Sequence, residues 1–296
     1  MEVRLAQSRG FCFGVEDAVE MAQQAVEQAG PGKLIALGPV VHNREVVARL
    51  EQAGLDQSGD LERIPEGSDV LIRSHGVPPE TYERARRRGL KLVDATCVLV
   101  KRAQHAVRKL HEEGYQVVLI GDAEHPEVKG VIGYAPDVIV VDEHTDLDQA
   151  LARRPRLGIV GQTTLAPEYV GAVVARICNR NFKEIKIVNT LCLEVVHRQE
   201  AAVALCGEVD VMFVLGGLHS ANTAELARLC REEGVETHHL ETWQQFRPEM
   251  AAGKRIAGVT AGASTPEFVI AEFVERLRAC DPPPAGEGAG GTEPRA

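Results

Sequence analysis

Short runs of aliphatic and β-branched residues alternate with longer amphipathic stretches along almost the whole chain. The runs at Val3–Ala6, Lys33–Leu37, Asp69–Ile72, Lys91–Val93, Gln116–Ile120, Val138–Val141, Leu157–Val160, Ile185–Val188, Val211–Leu215 and Arg255–Val259 predict strands. Helical periodicity covers Glu16–Gln28, Val98–Glu113, Val196–Cys206 and Ala224–Glu233. Strands buried on both faces and separated by helices predict parallel sheets made of βαβ units, an α/β fold. From Asp281 onward the sequence DPPPAGEGAGGTEPRA loses any apolar period and is rich in Gly and Pro, which predicts a disordered tail.

Within this pattern Cys12, Cys97 and Cys192 each stand where a predicted strand hands over to a predicted helix, 85 and 95 residues apart. A thiol at a helix N-terminus sees the positive end of the macrodipole, which favours its thiolate. The polar loops that follow later strands recur in step. His42, His125 and Ser220 lie 30, 28 and 28 residues after their cysteines, and His75, Thr163 and Ser264 lie 63, 66 and 72 after them. Three α/β units are therefore expected: residues 1–96 with Cys12, 97–191 with Cys97 and 192–280 with Cys192. Each would present a cysteine and two polar loops at the carboxyl ends of parallel strands, where ligands bind in open α/β sheets. A pseudo-three-fold trefoil would aim all of these loops at one central site.

With 296 residues, 44% hydrophobic and 26% charged, the chain has the composition of an ordinary globular protein. No apolar run approaches the ~20 residues that span a bilayer, and the N-terminus lacks the layout of a signal peptide, so the expected location is the cytoplasm with no membrane partner. Seven scattered cysteines argue for a reducing compartment and not a disulfide framework. A net charge of −10 speaks against a nucleic-acid partner. The basic run Arg84, Arg86, Arg87 and Arg88 reads as a solvated helix end.

One buried cysteine is most often a small hydrophobe, and that is the reading of Cys178, Cys206, Cys230 and Cys280. Three in one structural slot point instead to a metal or a metal–sulfur cluster. Zinc remains open, although the paired C-x₂₋₄-C spacing of structural zinc is absent. An iron–sulfur cubane held by three thiolates would keep one iron uncovered, as catalysis requires. His42, His75, Ser220, Asn222 and Ser264 supply donors beside Gly-containing turns for an anionic substrate. Asn222 and Ser264 could equally cap the helices that follow them. Glu127, in HPEV after His125, could be a buried general acid or simply a first-turn glutamate behind Pro126. No GxGxxG fingerprint follows a strand, so electrons would arrive from a ferredoxin or flavodoxin-type partner.

The blocks GFCFGV around Cys12, VVHN around His42, RSHGV around His75, DATC around Cys97, HPEV around His125 and Glu127, QTTL around Thr163, RQE after Cys192 and TAGAS around Ser264 occur in that order. Together they resemble the 4-hydroxy-3-methylbut-2-enyl diphosphate reductase family, which closes the methylerythritol phosphate route to isoprenoids. The resemblance runs from Arg9 to about Leu277. It implies a trefoil around one [4Fe–4S] cluster per chain with Cys12, Cys97 and Cys192 as ligands. It further implies reductive removal of an allylic hydroxyl to give isopentenyl and dimethylallyl diphosphates. Glu127 would deliver protons, Thr163 and His125 would orient the hydroxyl, and His42, His75, Ser220, Asn222 and Ser264 would hold the diphosphate. The chain departs from the family pattern at Val98, Val195, Val196 and Ala221, and with Glu16 and Asp17 where an arginine is usual. The missing hydroxyls motivate a competing reading, a cluster-bearing redox sensor or paralogue without catalysis. A zinc-dependent hydrolase is a third.

Overall fold

A computed structural model describes residues 1–151 and 155–280; the tail expected from Asp281 lies outside the described residues. The apolar runs become strands β1 (Glu2–Leu5), β2 (Leu34–Leu37), β3 (Asp56–Ser58), β4 (Asp69–Ile72), β5 (Lys91–Asp94), β6 (Gln116–Ile120), β7 (Ile139–Val141), β8 (Arg156–Gly161), β9 (Glu184–Ile187), β10 (Val211–Leu215), β11 (Glu236–Leu240) and β12 (Ile256–Ala261). Between them lie α1 (Phe13–Ala29), α2 (Arg44–Gln52), α3 (Pro79–Arg87), α4 (Val98–Glu112), α5 (Pro126–Ile132), α6 (Leu147–Ala150), α7 (Pro167–Cys178), α8 (Leu193–Cys206), α9 (Ala221–Glu232) and α10 (Glu267–Ala279).

The strands form three four-stranded sheets, and every pairing is parallel. The orders are β3-β2-β4-β5, β7-β6-β8-β9 and β11-β10-β12-β1. These are one order three times over, so the expected α/β repeat of three parallel sheets is present. In each sheet the inner strands carry the continuous apolar runs; β10, VMFVL, is buried at all five positions, as a strand covered on both faces should be.

One expected boundary differs. Residues 2–5 were assigned to the first unit with Cys12, but β1 pairs with β12, Leu5 opposite Val259. Each cysteine therefore leaves the outer strand of one sheet and opens the helix that covers another. Helix α1 packs Ala18, Ala22, Ala25 and Val26 with Leu34, Ala36 and Leu71. Helix α4 packs Val100, Ala103, Val107 and Leu110 with Val117, Leu119 and Val160. The second half of α8 packs Ala202, Leu205 and Cys206 with Ala6, Met212 and Val214. Alanine at these faces lets the helix come close. At Gly158 of β8 a Cβ would stand 2.9 Å from a Leu110 methyl, so even one carbon is excluded. Each fully buried Val or Leu contributes about 1.5–3 kcal/mol.

By contact density the chain divides into two compact units: Phe11–His197, which holds the first two sheets, and Met1–Gly10 with the residues from Arg198, which hold the third. No helix among the described residues is long and apolar enough to cross a membrane. The basic end of α3 is not simply solvated, since Arg84 pairs with Glu62 at 2.6 Å and Arg88 donates to the carbonyls of Leu61 and Ile64. Of the four cysteines read as small hydrophobes, Cys206 and Cys230 are buried, whereas Cys178 is exposed and Cys280 half-buried.

The N-terminal ammonium lies 3.4 Å from both the Arg278 and Cys280 carbonyl oxygens. A circular permutant that joins residue 280 to Met1 and opens the exposed turn at Glu66–Gly67 should fold, because no sheet pairing is cut. Its melting temperature, read by circular dichroism, should fall by no more than about 4 °C, or roughly 1–2 kcal/mol at this size. An unfolded product would refute the placement of Met1 beside the Arg278 and Cys280 carbonyls.

Candidate active site

Cys12 and Cys97 are the N-caps of α1 and α4, and Cys192 directly precedes α8. Their backbones are fixed by the loops that end inner strands: Cys97 N–H donates to the Ser74 carbonyl (3.0 Å) and Cys192 N–H to the Thr163 carbonyl (2.9 Å). All three sulfurs lie in the unit Phe11–His197 and within electrostatic reach of one another. Burial pushes the Cys97 and Cys192 thiols up, and the neighbouring sulfurs push the same way. Helix-start amides oppose this, from Leu99 and Val100 at Cys97 and from Val195 and Glu194 at Cys192. Gly14 makes room beside them, since a Cβ there would stand 2.6 Å from Cys97 Sγ.

This donor set fits a cluster. Three soft sulfurs come from separate junctions, two of them with amides aimed at them, and a bound cation would reverse the burial penalty by deprotonating the thiols outright. The order of effects differs from the sequence expectation: in the bare protein desolvation, and not the helix dipole, dominates at Cys97 and Cys192.

The three loop histidines also meet in this unit. His42 precedes Asn43, whose Oδ1 caps α2 by accepting from Val46 N–H at 3.1 Å. His75 precedes Gly76, which takes φ +69° against the Gln104 and Thr96 side chains. His125 caps α5, its Nδ1 accepting from Glu127 N–H at 3.2 Å, which leaves Nε2 to carry the ring proton. Ring centroids are 4.7 Å apart for His42–His75, 6.0 Å for His42–His125 and 5.6 Å for His75–His125. The bridge is Gly130 of α5, where a Cβ would sit 3.1 Å from the His75 and Gly76 carbonyl oxygens. Burial holds the His75 imidazole well below its ordinary value, aided by His42, Arg73 and His125; His125 is lowered by burial too. At neutral pH the His75 and His125 rings are uncharged N–H donors. One nitrogen from each lies within 4.8 Å of the others, a spacing that suits a metal ion as well as a polyanion.

Glu127 is 2% exposed, so it is not a solvent-facing first-turn residue. Its carboxyl accepts from Thr163 N–H and Thr163 Oγ1–H, both at 2.7 Å. Burial raises its pKa above the ordinary carboxylate value against the pull of those two donations, and its charge is felt at Cys97. A buried carboxyl that holds its proton beside a group of thiols is suited to proton delivery.

Ser220, Asn222 and Ser264 belong to the other compact unit and are buried there. The cap of α9 is Ser220, whose Oγ accepts from Thr223 N–H at 3.3 Å, and not Asn222. Neither Oδ1 nor Nδ2 of Asn222 has a protein partner. Ser264 does not cap α10 either, which starts behind Pro266. An amide buried without partners costs about 1–3 kcal/mol unless a ligand satisfies it.

Two side chains escaped sequence reasoning. Arg73 in RSHG is largely buried, holds its charge against desolvation and depresses both neighbouring histidines. Gln104 lies on the buried side of α4 with its amide nitrogen at the Gly76 turn. A buried polar residue at a helical core position was the available signal.

The family model described as "LytB protein" matches residues 3–278. A protein of Geobacter metallireducens named 4-hydroxy-3-methylbut-2-enyl diphosphate reductase is 44% identical over 281 residues, covering 95% of this chain and 98% of its own. One of Aquifex aeolicus with the same name is 42% identical, covering 94% and 96%. The solved structure titled as (E)-4-hydroxy-3-methyl-but-2-enyl diphosphate reductase, the terminal enzyme of the non-mevalonate pathway, superimposes with a TM-score of 0.70 at 41% identity over 94% of this chain and 99% of that one. That of the E-1-hydroxy-2-methyl-but-2-enyl-4-diphosphate reductase from Plasmodium falciparum does so with 0.88 at 29% identity, over 93% and 87%.

Removing the Thr163 hydroxyl should raise the Glu127 pKa further, because that donor favours the ionised form. A charge-assisted hydrogen bond of about 1.5–3 kcal/mol corresponds to roughly one to two pH units. Infrared titration of the carboxyl band should show this shift in Thr163→Val and its reversal in Thr163→Ser. An unmoved midpoint would count against the assignment.

Proposed function

The chain belongs to the LytB protein family, and on that premise we propose that it reduces (E)-4-hydroxy-3-methylbut-2-enyl diphosphate to isopentenyl and dimethylallyl diphosphates. The reaction consumes two electrons and two protons; the allylic C–O bond breaks, the oxygen leaves as water and a C–H bond forms. Cys12, Cys97 and Cys192 would hold a [4Fe–4S] cluster. When bound, such a cluster supplies the electrons and an open iron that acts as a Lewis acid. The observation that carries the reading is Glu127: a carboxyl buried, raised in pKa and oriented by two Thr163 donors within reach of the thiols.

The remaining roles follow from the state of each side chain. Burial favours the protonated form of Glu127, which delivers its proton to the leaving oxygen. Thr163 fixes the Glu127 carboxyl, and His125 presents Nε2–H to orient the substrate hydroxyl. Uncharged His75 donates to phosphoryl oxygens without the desolvation cost of a buried cation, and His42 donates beside it. Ser220, Asn222 and Ser264 supply further donors for phosphoryl oxygens, and Asn222 Nδ2 gains the partner it lacks within the protein. A cytoplasmic ferredoxin or flavodoxin-type protein delivers the electrons. The non-catalytic alternative has less support, because a redox sensor has no use for a buried proton donor.

Anaerobic assay of the reconstituted protein with a small strong reductant tests the proposal. Turnover of the hydroxylated allylic diphosphate is expected, and its absence in protein with a full cluster would overturn it. Glu127→Gln should lower kcat by about 10²–10⁴-fold at unchanged iron and sulfide content. Cys97→Ser should lose the cluster, whereas bound zinc in colourless parent protein would favour a hydrolase.

A further inference from the structure

The loop between β10 and α9, residues 216–220, leads straight into Ser220 and Asn222, and its backbone is held from two sides. One side is the turn that follows β12. Gly262 N–H donates to the Leu215 carbonyl at 2.8 Å, and Thr265 Oγ1–H donates to the same oxygen at 3.0 Å. Gly216 takes φ +143°, where a Cβ would stand 2.6 Å from Thr265 Oγ1 and 2.8 Å from Thr223 Oγ1. Packing alone stops the loop from moving that way.

The other side is the end of the edge strand β11. It runs parallel to β10 with His239 opposite Val214 and Leu240 opposite Leu215, so both strands finish at this loop. Gly216 N–H donates to the Leu240 carbonyl at 2.9 Å. His239 shares the sheet face of Val214, which packs with Leu226, Ala227 and Cys230 of α9. Its Nε2 lies 3.1 Å from the Gly216 carbonyl oxygen. A carbonyl only accepts, so the ring carries its proton on Nε2 and donates. Burial holds this imidazole below its ordinary value, so it orders the loop as a neutral donor. Two residues on, Glu241 Oε1 accepts from Leu218 N–H at 3.2 Å, while Glu241 N–H is fixed by Gln245 Oε1 at 2.6 Å. Ser220 N–H closes the turn on the Gly217 carbonyl at 2.9 Å. Two peptide groups just ahead of Ser220 are thus tied to side chains from the end of β11.

We infer that His239, together with Glu241, is a positioning residue for the diphosphate: it fixes the 216–220 loop so that Ser220 and Asn222 stand ready for phosphoryl oxygens. The inference deepens the proposed function and rests on it. Neither side chain needs to touch the substrate; both act through the loop backbone. Asn222 is where that order matters, because its buried amide has no partner within the protein to hold it in place. A loop ordered in advance leaves less ordering to be done on association, and affinity rises accordingly. Freed at Gly216, the same loop would have to be ordered by the ligand.

The test compares the cluster-loaded parent with His239→Leu, His239→Asn and His239→Gln, each checked for folding by circular dichroism. Glutamine brings an amide N–H close to where Nε2 stands, asparagine falls short of it, and leucine has no donor. Calorimetry with inorganic pyrophosphate comes first, because it needs no turnover. Binding should weaken by about five- to twentyfold in His239→Leu and His239→Asn, and return to within about threefold of the parent in His239→Gln. Steady-state kinetics with the hydroxylated allylic diphosphate should show KM raised by a similar factor. The kcat should stay within about twofold, since the lost order serves bound substrate and transition state alike. Glu241→Ala should move pyrophosphate affinity in the same direction. A purely structural role would lower the melting temperature of His239→Leu and leave affinity and KM where they were, which would overturn the inference. Equal loss in His239→Gln and His239→Leu would overturn it as well, as would a parent that does not bind pyrophosphate. If the parent binds pyrophosphate with a full cluster yet turns nothing over, the catalytic reading fails, and the variant affinities still decide the role of His239.

Discussion

Thiols brought together away from water repel once they ionise, and the local structure is arranged around that cost. Burial keeps Cys97 and Cys192 protonated in the bare protein, with the neighbouring sulfurs adding to the effect. The opposing force comes from backbone amides at helix starts. Such amides are available only where a strand ends and a helix begins, so each sulfur is tied to a junction. A cation at the centre turns the same burial into an advantage, because charge attraction strengthens as water is excluded.

The junctions also explain the order of the sheets. Each cysteine follows the outer strand of one four-stranded sheet and opens the helix covering the next along the chain. For Cys12 that outer strand, β1, completes the sheet built from residues 211–261. The N-terminal strand is thereby fastened beside the C-terminal helix, with Met1 against the Arg278 and Cys280 carbonyls. The third sheet cannot close until both ends of the chain have been made, and contacts so distant in sequence carry the largest loop-closure cost.

Much of this was legible in the sequence because inner parallel strands are apolar on both faces. Residues 116–120 and 211–215 match the predicted strands end to end. The strands not foreseen are β3, DQS, and β11, ETHHL, both at sheet edges where one side faces water and polar residues are tolerated. The partner of β1 was hidden for another reason: adjacency along the chain suggests the first unit, and only the third sheet has an unfilled place beside β12. At the site, loop spacing located the histidines and Thr163. It could not reveal that Ser220 takes the cap and leaves Asn222 unpartnered, since either residue is a good capper by type. Arg73 and Gln104 were missed because periodicity treats a polar residue as exposed.

The departures from the family pattern bear on the same physics. At Val98 and Val195 a reader of side chains would expect damage near the sulfurs. Yet what approaches Cys97 is the backbone N–H of Leu99 and Val100, and what approaches Cys192 is that of Glu194 and Val195. A main-chain donor survives any substitution that keeps the helix start, and valine keeps it here. Val98 projects outward while Val195 is buried. On the proposed roles, the loss at Val195, Val196 and Ala221 would be confined to hydroxyl contacts with a substrate, about 1 kcal/mol each. Such losses weaken binding by roughly fivefold apiece without disturbing the thiols or the Glu127–Thr163 pair. The departures therefore argue for a shifted affinity within the same chemistry, and not for its abandonment.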